Sequence, residues 1–209
     1  MEEVVLVDKI DFKKTDSYRA PKSFQFVEVP QMQYLMIDGH GDPNTAQTYQ
    51  DALQTLYPVA YKLKFSSKQA GRDYVVPPLE GLWWAERMDS FTSARDKSQW
   101  DWTMMLMVPD WLGPEDVAKA LGAAQNSADL PAGDKIRLGN LSEGRCLQVL
   151  HIGSYDDEAP VLARMHQYIK DQGLDLTGKH HEIYLSDPRR VQPEKLRTIL
   201  RQPVVPAAN

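Results

Sequence analysis

Two periodicities alternate along the chain. Phe24-Gln25-Phe26-Val27-Glu28-Val29 alternates apolar and polar residues and stops at Pro30, which predicts a strand closed by a residue that cannot donate to a ladder. Met32 to Asp38 resumes the extended pattern. Gly39-His40-Gly41-Asp42-Pro43-Asn44 then forms a turn leading into a helix, with Asp42 or Asn44 near the N-cap. Tyr49, Leu53, Leu56, Ala60 and Leu63 follow at steps of three and four, so they define one buried helical stripe. Pro58 lies inside that stripe and is expected to kink or divide the helix. Beyond Pro77-Pro78 a strand is predicted from Leu79 to Arg87, pairing antiparallel through a long polar loop with a strand from Trp100 to Val108.

The second half follows a similar order. Gly113-Pro114-Glu115-Asp116 opens a short helix through Ala124, with proline and acids in its first turn. Arg145 to Ile152 reads as a strand, and Gly153-Ser154-Tyr155-Asp156-Asp157-Glu158-Ala159-Pro160 turns it into a helix that buries Val161, Leu162, Met165 and Ile169. A strand from His180 to Ser186 and a short helix from Pro193 to Leu200 complete the pattern. Strand, acidic glycine-containing turn with proline, helix and strand thus occur from Met32 to Arg87 and again from Arg145 to Ser186.

Composition narrows the class. The chain has 209 residues, 42% hydrophobic and 25% charged, which suits one large globular domain or two small units sharing a core. The longest apolar run, near Thr103 to Val108, is six residues, far short of a membrane span. Met1-Glu2-Glu3-Val4 lacks a basic region followed by an apolar stretch, so no secretory leader is expected. Cys146 is the only cysteine, which excludes an intrachain disulfide framework and suits the reducing cytoplasm. A formal charge of −5, without a helix-turn-helix or zinc-finger pattern, argues against nucleic acid as a partner. Five Trp, nine Tyr and eight Met supply side chains suited to an adaptable binding surface.

The densest chemistry lies in Lys179-His180-His181-Glu182-Ile183-Tyr184-Leu185-Ser186-Asp187-Pro188. Strand geometry sends Glu182 and Tyr184 to the same face. Two readings follow: an acid and a phenol turned into a pocket, or the solvated face of a half-buried strand. Along Leu79 to Arg87, Leu82, Trp84 and Glu86 share one face, and Gly81, Trp83 and Ala85 the other. Trp100, Trp102, Met104 and Leu106 share a face of the partner strand. His180 and His181 are adjacent and point to opposite faces, and His40, His151 and His166 have no ligand spacing, so no metal site is expected. Cys146 has no nucleophile motif, and Gly39-His40-Gly41-Asp42 lacks the lysine and glycine spacing of a phosphate loop. Asp187-Pro188-Arg189-Arg190 reads as a solvated turn.

Several of these segments occur together in one known family. Val4 to Phe12, Met36-Ile37-Asp38-Gly39-His40-Gly41-Asp42-Pro43-Asn44, Val75-Val76-Pro77-Pro78-Leu79-Glu80-Gly81-Leu82-Trp83-Trp84, Trp100-Asp101-Trp102-Thr103-Met104-Met105 and His181-Glu182-Ile183-Tyr184-Leu185-Ser186-Asp187-Pro188-Arg189-Arg190 resemble stand-alone GyrI-like proteins, of the multidrug-regulator effector-binding superfamily. The resemblance covers nearly the whole chain. It implies an α+β fold of duplicated strand-helix-strand-strand repeats, about residues 22–110 and 114–205 of a single domain 1–209, related by a pseudo-two-fold axis. A ligand groove would lie between the two main helices. In the regulators a buried glutamate meets cationic aromatic drugs, and Glu182 occupies the matching place. Some stand-alone members hydrolyse cyclopropane-bearing alkylating natural products, which implies a cofactor-free detoxifying hydrolase.

On that reading Glu182 is the general base and Tyr155, at the second strand-to-helix turn, donates to the developing oxyanion; Tyr184 is the alternative donor. Trp84 and Trp102 are expected to sandwich a planar ligand, with Met104 beside them. The partner is a small planar aromatic molecule, and the chain is a monomer or weak homodimer, with no nucleic acid, membrane, metal or cofactor. Two other classes stand against it. One is a groove that sequesters small aromatic, even cationic, molecules without turnover. The other is a protein-interaction module of the kind that gives the family its gyrase-inhibitor name, which the absence of a concentrated acidic run disfavours.

Overall fold

The computed structural model describes residues 8–86 and 96–208; Val4 to Val7 and Arg87, named above, lie outside them. Alternating segments assemble into one antiparallel sheet of β1 (Gln25–Val29), β2 (Met32–His40), β3 (Leu79–Trp84), β4 (Asp101–Met107), β5 (Arg137–Leu141), β6 (Gly144–Ile152), β7 (Leu174–Leu176), β8 (His180–Tyr184) and β9 (Arg197–Pro206). The strand order is β1-β6-β9-β8-β3-β4-β2-β5, with β7 paired to β9 off this path. β3 and β8 meet as an antiparallel seam, with Gly81 opposite Glu182 and Leu79 opposite Tyr184. Two helices, α1 (Gln47–Gln69) and α3 (Ala159–Asp171), pack on the sheet, and α2 (Pro114–Gln125) packs against α1.

The apolar stripe of α1 buries Ala52, Leu56, Val59, Ala60 and Leu63 against Leu35, Ile37, Trp102, Met104 and Leu106. α3 buries Leu162, Met165 and Ile169 against Leu147, Val149 and Leu200. The seam residues Glu182 and Tyr184 lie between the two packed zones. The opposite sheet face carries Tyr34, Met36, Leu82, Met105, Ile183 and Ile199, covered by Tyr18 from an N-terminal 3-10 turn.

The structure refines three local expectations. Pro58 does not divide α1, which runs unbroken from Gln47 to Gln69, because the buried residues on either side of it hold the helix to the sheet. The N-cap is Ala46; Asp42 and Asn44 sit in the turn before it, where the Asp42 carboxylate accepts from the Asn44 backbone at 2.9 Å. The segment from Pro193 to Leu200 is no helix. A 3-10 turn over Pro193–Lys195 gives way to β9, whose residues pair with both β6 and β8. Local helix signals lose there to two flanking ladders and to the burial of Ile199 and Leu200.

Candidate active site

A cavity of about 1100 Å³ opens between α1 and α3, directly over the β3–β8 seam. That volume exceeds what a compact metabolite needs and suits a polycyclic ligand. Tyr49, Leu53, Gln54, Tyr57, Pro58 and Tyr61 contribute the α1 wall, which explains why Tyr49 and Leu53 are only partly buried although they continue the helical stripe. Pro58 lacks an N–H, so the Gln54 carbonyl has no helical donor one turn earlier. The floor and far wall come from Leu79, Trp83, Trp100, Glu182 and Tyr184, with Tyr155, Glu158 and Leu162 closing the α3 side.

The aromatic residues are interlocked. The Trp83 ring stacks on Tyr49 at 6.3 Å between centroids and meets Trp100 edge-on at 5.7 Å. Tyr155 and Tyr184 form a T-shaped pair at 5.6 Å. Gly81 makes this arrangement possible. A Cβ there would stand 2.8 Å from Trp83 Nε1 and 3.1 Å from the Tyr184 hydroxyl. In the space left free, Trp83 Nε1–H donates to the Tyr184 oxygen at 3.0 Å, and the Tyr184 hydroxyl donates to Glu182 Oε2 at 2.7 Å. The donor chain therefore ends on the Glu182 carboxylate.

Glu182 is not alone. Glu158, the N-cap residue of α3, is 4% exposed and lines the cavity with Glu182, near enough for each charge to act on the other. Burial, then the Glu182 charge, pushes the Glu158 carboxyl well above the usual carboxylate range. Of two carboxyls sharing a site, Glu158 is the one whose environment favours the protonated form. Thr198, on β9, lies close enough to lower Glu158 slightly, yet neither its hydroxyl nor Glu158 Oε1 has an aligned hydrogen-bond partner. These orphaned atoms can serve a ligand or water. Tyr155 is held up to about 12, first by burial and then by Glu158 and Glu182, and Tyr184 is raised well above its ordinary value by burial and Glu182. Both phenols stay protonated and act as donors.

The structure brings Glu182, Tyr155 and Tyr184 together in one wall of the cavity. It does not place Trp84, Trp102 or Met104 there. The β3–β4 register sets Trp83, not Trp84, opposite Trp102, so Trp84 falls on the other sheet face beneath the Lys179 ammonium, 3.0 Å from its ring centroid. A one-residue offset reverses the face of every side chain. Trp102 shares the groove-side face but is fully buried, edge-on to Tyr49 at 5.3 Å and close over Gly39. Met104 is likewise fully buried in the same core. Trp83 and Trp100 take the lining positions instead. Sequence reading also missed Glu158, because Asp156-Asp157-Glu158 looks like a solvated acidic helix start; its one distinguishing signal was the place immediately before Ala159-Pro160.

Among the described residues no group of His, Cys, Asp and Glu is arranged to hold a metal ion. No described helix is long and apolar enough to cross a membrane. A second hollow of about 520 Å³, between β6 and α3, is lined by Lys22, Phe24, Leu150, Arg164 and Tyr168 and has no carboxylate in its wall.

The family described as the GyrI-like small molecule binding domain matches residues 22–205. Two crystal structures from Listeria innocua are similar over nearly the whole chain. One, of an uncharacterized conserved protein, is 40% identical, with 94% of this chain and 100% of that chain covered and a TM-score of 0.84. The other, of a hydrolase, is 39% identical, with 94% and 100% covered and a TM-score of 0.80. The EcmrR C-terminal domain, at 14% identity and a TM-score of 0.59 over 88% of this chain and 98% of that chain, shares the fold alone. No curated protein matches the chain.

Proposed function

The chain belongs to the GyrI-like small molecule binding domain family, and we propose that its groove binds planar electrophilic aromatic molecules and hydrolyses them without a cofactor. The substrates are cyclopropane-bearing alkylators, in which a strained ring is conjugated to a dienone. The observation that carries this reading is the Glu158–Glu182 carboxyl pair, set in an aromatic wall beside Tyr155. A hydrolase of known fold at 39% identity supports it.

The chemistry needs little from the protein. Glu182, its side chain only 12% exposed, takes a proton from water as the water oxygen bonds to the ring carbon. The ring C–C bond breaks, and its electron pair passes through the dienone to the carbonyl oxygen. Tyr155 and protonated Glu158 are neutral donors in the same wall and stabilise that oxyanion. Tyr184 donates to Glu182 and so holds the base in place rather than serving the substrate. Trp83, Trp100 and Tyr49 offer flat faces to the ring system, each offset pair contributing about 0.5–1.5 kcal/mol beyond the area buried.

Incubating the protein with a spiro-cyclopropane dienone alkylator and following the gain of one water by mass spectrometry tests the proposal. Wild type should turn over many equivalents, and Glu182→Gln should slow it about 10²- to 10⁴-fold while still binding. Stoichiometric binding without hydration would favour the second reading, a sequestering groove. The negative charge of the carboxyl pair among aromatic rings suits a planar monocation in that case.

A further inference from the structure

Beside Glu182, on the same sheet face but outside the cavity lining, stands a buried imidazole that the groove chemistry leaves unused. His180 shares the strand face of Glu182, two residues earlier, and is 8% exposed. Its Nε2 lies 3.3 Å from Glu182 Oε1, and neither ring nitrogen has an aligned hydrogen-bond partner. Two unsatisfied nitrogens in a buried ring are costly unless they serve a purpose. Trp83 faces His180 across the seam. From α3 the neighbouring titratable group is His166, half-buried, with Lys170 one helical turn beyond it.

We propose that His180 carries the proton gained by Glu182 sideways out of the site, toward His166 and solvent, making it a positioning residue for proton exit. The inference rests on the hydrolase reading. In each turnover a water O–H bond breaks and its proton goes to Glu182, while the new C–O bond and the broken ring bond leave the electron pair on the product oxygen. When that oxygen departs as an anion, one proton stays on the carboxyl pair. A planar ligand or product filling the groove covers the cavity side of the pair, so the open route is the lateral one past His180, which lies outside the cavity lining. The Nδ1–H tautomer of His180 accepts at Nε2 and releases at Nδ1. His166 is held down to about 4 by burial, His180 and Lys170, so it passes a proton to water rather than keeping it.

Single-turnover and steady-state rates with a spiro-cyclopropane dienone alkylator separate the step from chemistry. In His180→Gln, which keeps the ring opening intact but cannot relay, the single-turnover rate should stay within about threefold while kcat falls about tenfold or more. His166→Gln should fall in the same sense, and free imidazole should restore kcat to His180→Ala. Equal loss in both phases, no loss in either, or no imidazole rescue would overturn the proposal. A wild type that yields no hydrated product removes the hydrolase reading first, and the proton route with it.

Discussion

The groove strand is anchored from behind by four buried charged side chains, and their protonation should be visible in the stability of the whole domain. His181 Nε2 lies 2.9 Å from Glu80 Oε2 and its Nδ1 3.0 Å from Glu143 Oε1, while Arg201 reaches Glu143 Oε2 at 3.1 Å. Tyr18 and Tyr34 donate to Glu80 at 2.5 and 3.2 Å. Arg201 also donates to the Ser17 carbonyl. Burial alone would lower His181, but the Glu143 charge and hydrogen bond, with those of Glu80, outweigh it and raise the imidazolium from 6.5 to about 9. Between those values the folded chain holds a proton that the unfolded chain has released, so stability falls as pH rises through the window. The difference, 9 − 6.5, corresponds to about 3 kcal/mol at about 1.4 kcal/mol per pH unit. Urea unfolding at intervals from pH 6 to 9.5 measures it. Glu158 also binds a proton more tightly when folded and contributes its own decline, so the decisive quantity is the difference between wild type and His181→Gln. That difference should be about 3 kcal/mol near pH 6.5 and should close by pH 9.5. A difference that stays constant across the window would show that His181 is neutral in the fold and that the reasoning is wrong.

Gly81→Ala should disturb the groove without touching either acid. The new Cβ, 2.8 Å from Trp83 Nε1, displaces the indole and breaks its bond to Tyr184, with an expected loss of about 1–3 kcal/mol in stability and weaker ligand binding by calorimetry. Unchanged affinity would mean that Trp83 does not face the ligand. Trp83→Phe should weaken a planar ligand about three- to tenfold, whereas Trp84→Phe, on the opposite face, should leave affinity within about twofold. The reverse ranking would contradict the register. Glu158→Gln mimics the protonated acid, so it should retain most binding and lose less turnover than Glu182→Gln in the hydration assay. Equal losses would imply that Glu158 works as an anion.

Strong local periodicity was legible wherever a segment is half buried. β1, β2, β6 and the stripes of α1 and α3 follow from alternation or from steps of three and four. What local pattern could not supply was pairing. β5 and β7 are short strands defined by the ladders they join, and β9 exists because β6 and β8 offer it two. The register between β3 and β4 also lies beyond local pattern, since both Trp83 and Trp84 are plausible lining residues until Trp102 is placed opposite one of them. Strand parity put Glu182 and Tyr184 on one face but left open whether that face is a pocket or solvated, and the family resemblance was needed to set them and Tyr155 in a groove. Glu158 could not be named, because only its burial against Glu182 separates it from the two exposed acids before it.

β8 divides its work by parity. His181 and Ile183 turn to the N-terminal side of the sheet, where the charged quartet and Ile199 fix the strand in place. His180, Glu182 and Tyr184 turn to the groove, where each is coupled to the next within 3.3 Å. A base that must meet water at one atom gains from a backbone that does not shift, and a buried network held at both ends restrains it better than apolar packing of the same volume. The desolvation cost of four buried charges makes such a network a poor source of net stability. On the hydrolase reading, its place on the opposite sheet face from Glu182 would give it another use, holding the carboxylate at one depth in the wall. If that is its role, Arg201→Met should reduce hydration of the alkylator by more than its loss of stability accounts for. Activity measured well below the variant's melting temperature, where the folded fraction is complete, separates the two effects. Full activity there would leave the quartet as a structural feature of the sheet and nothing more.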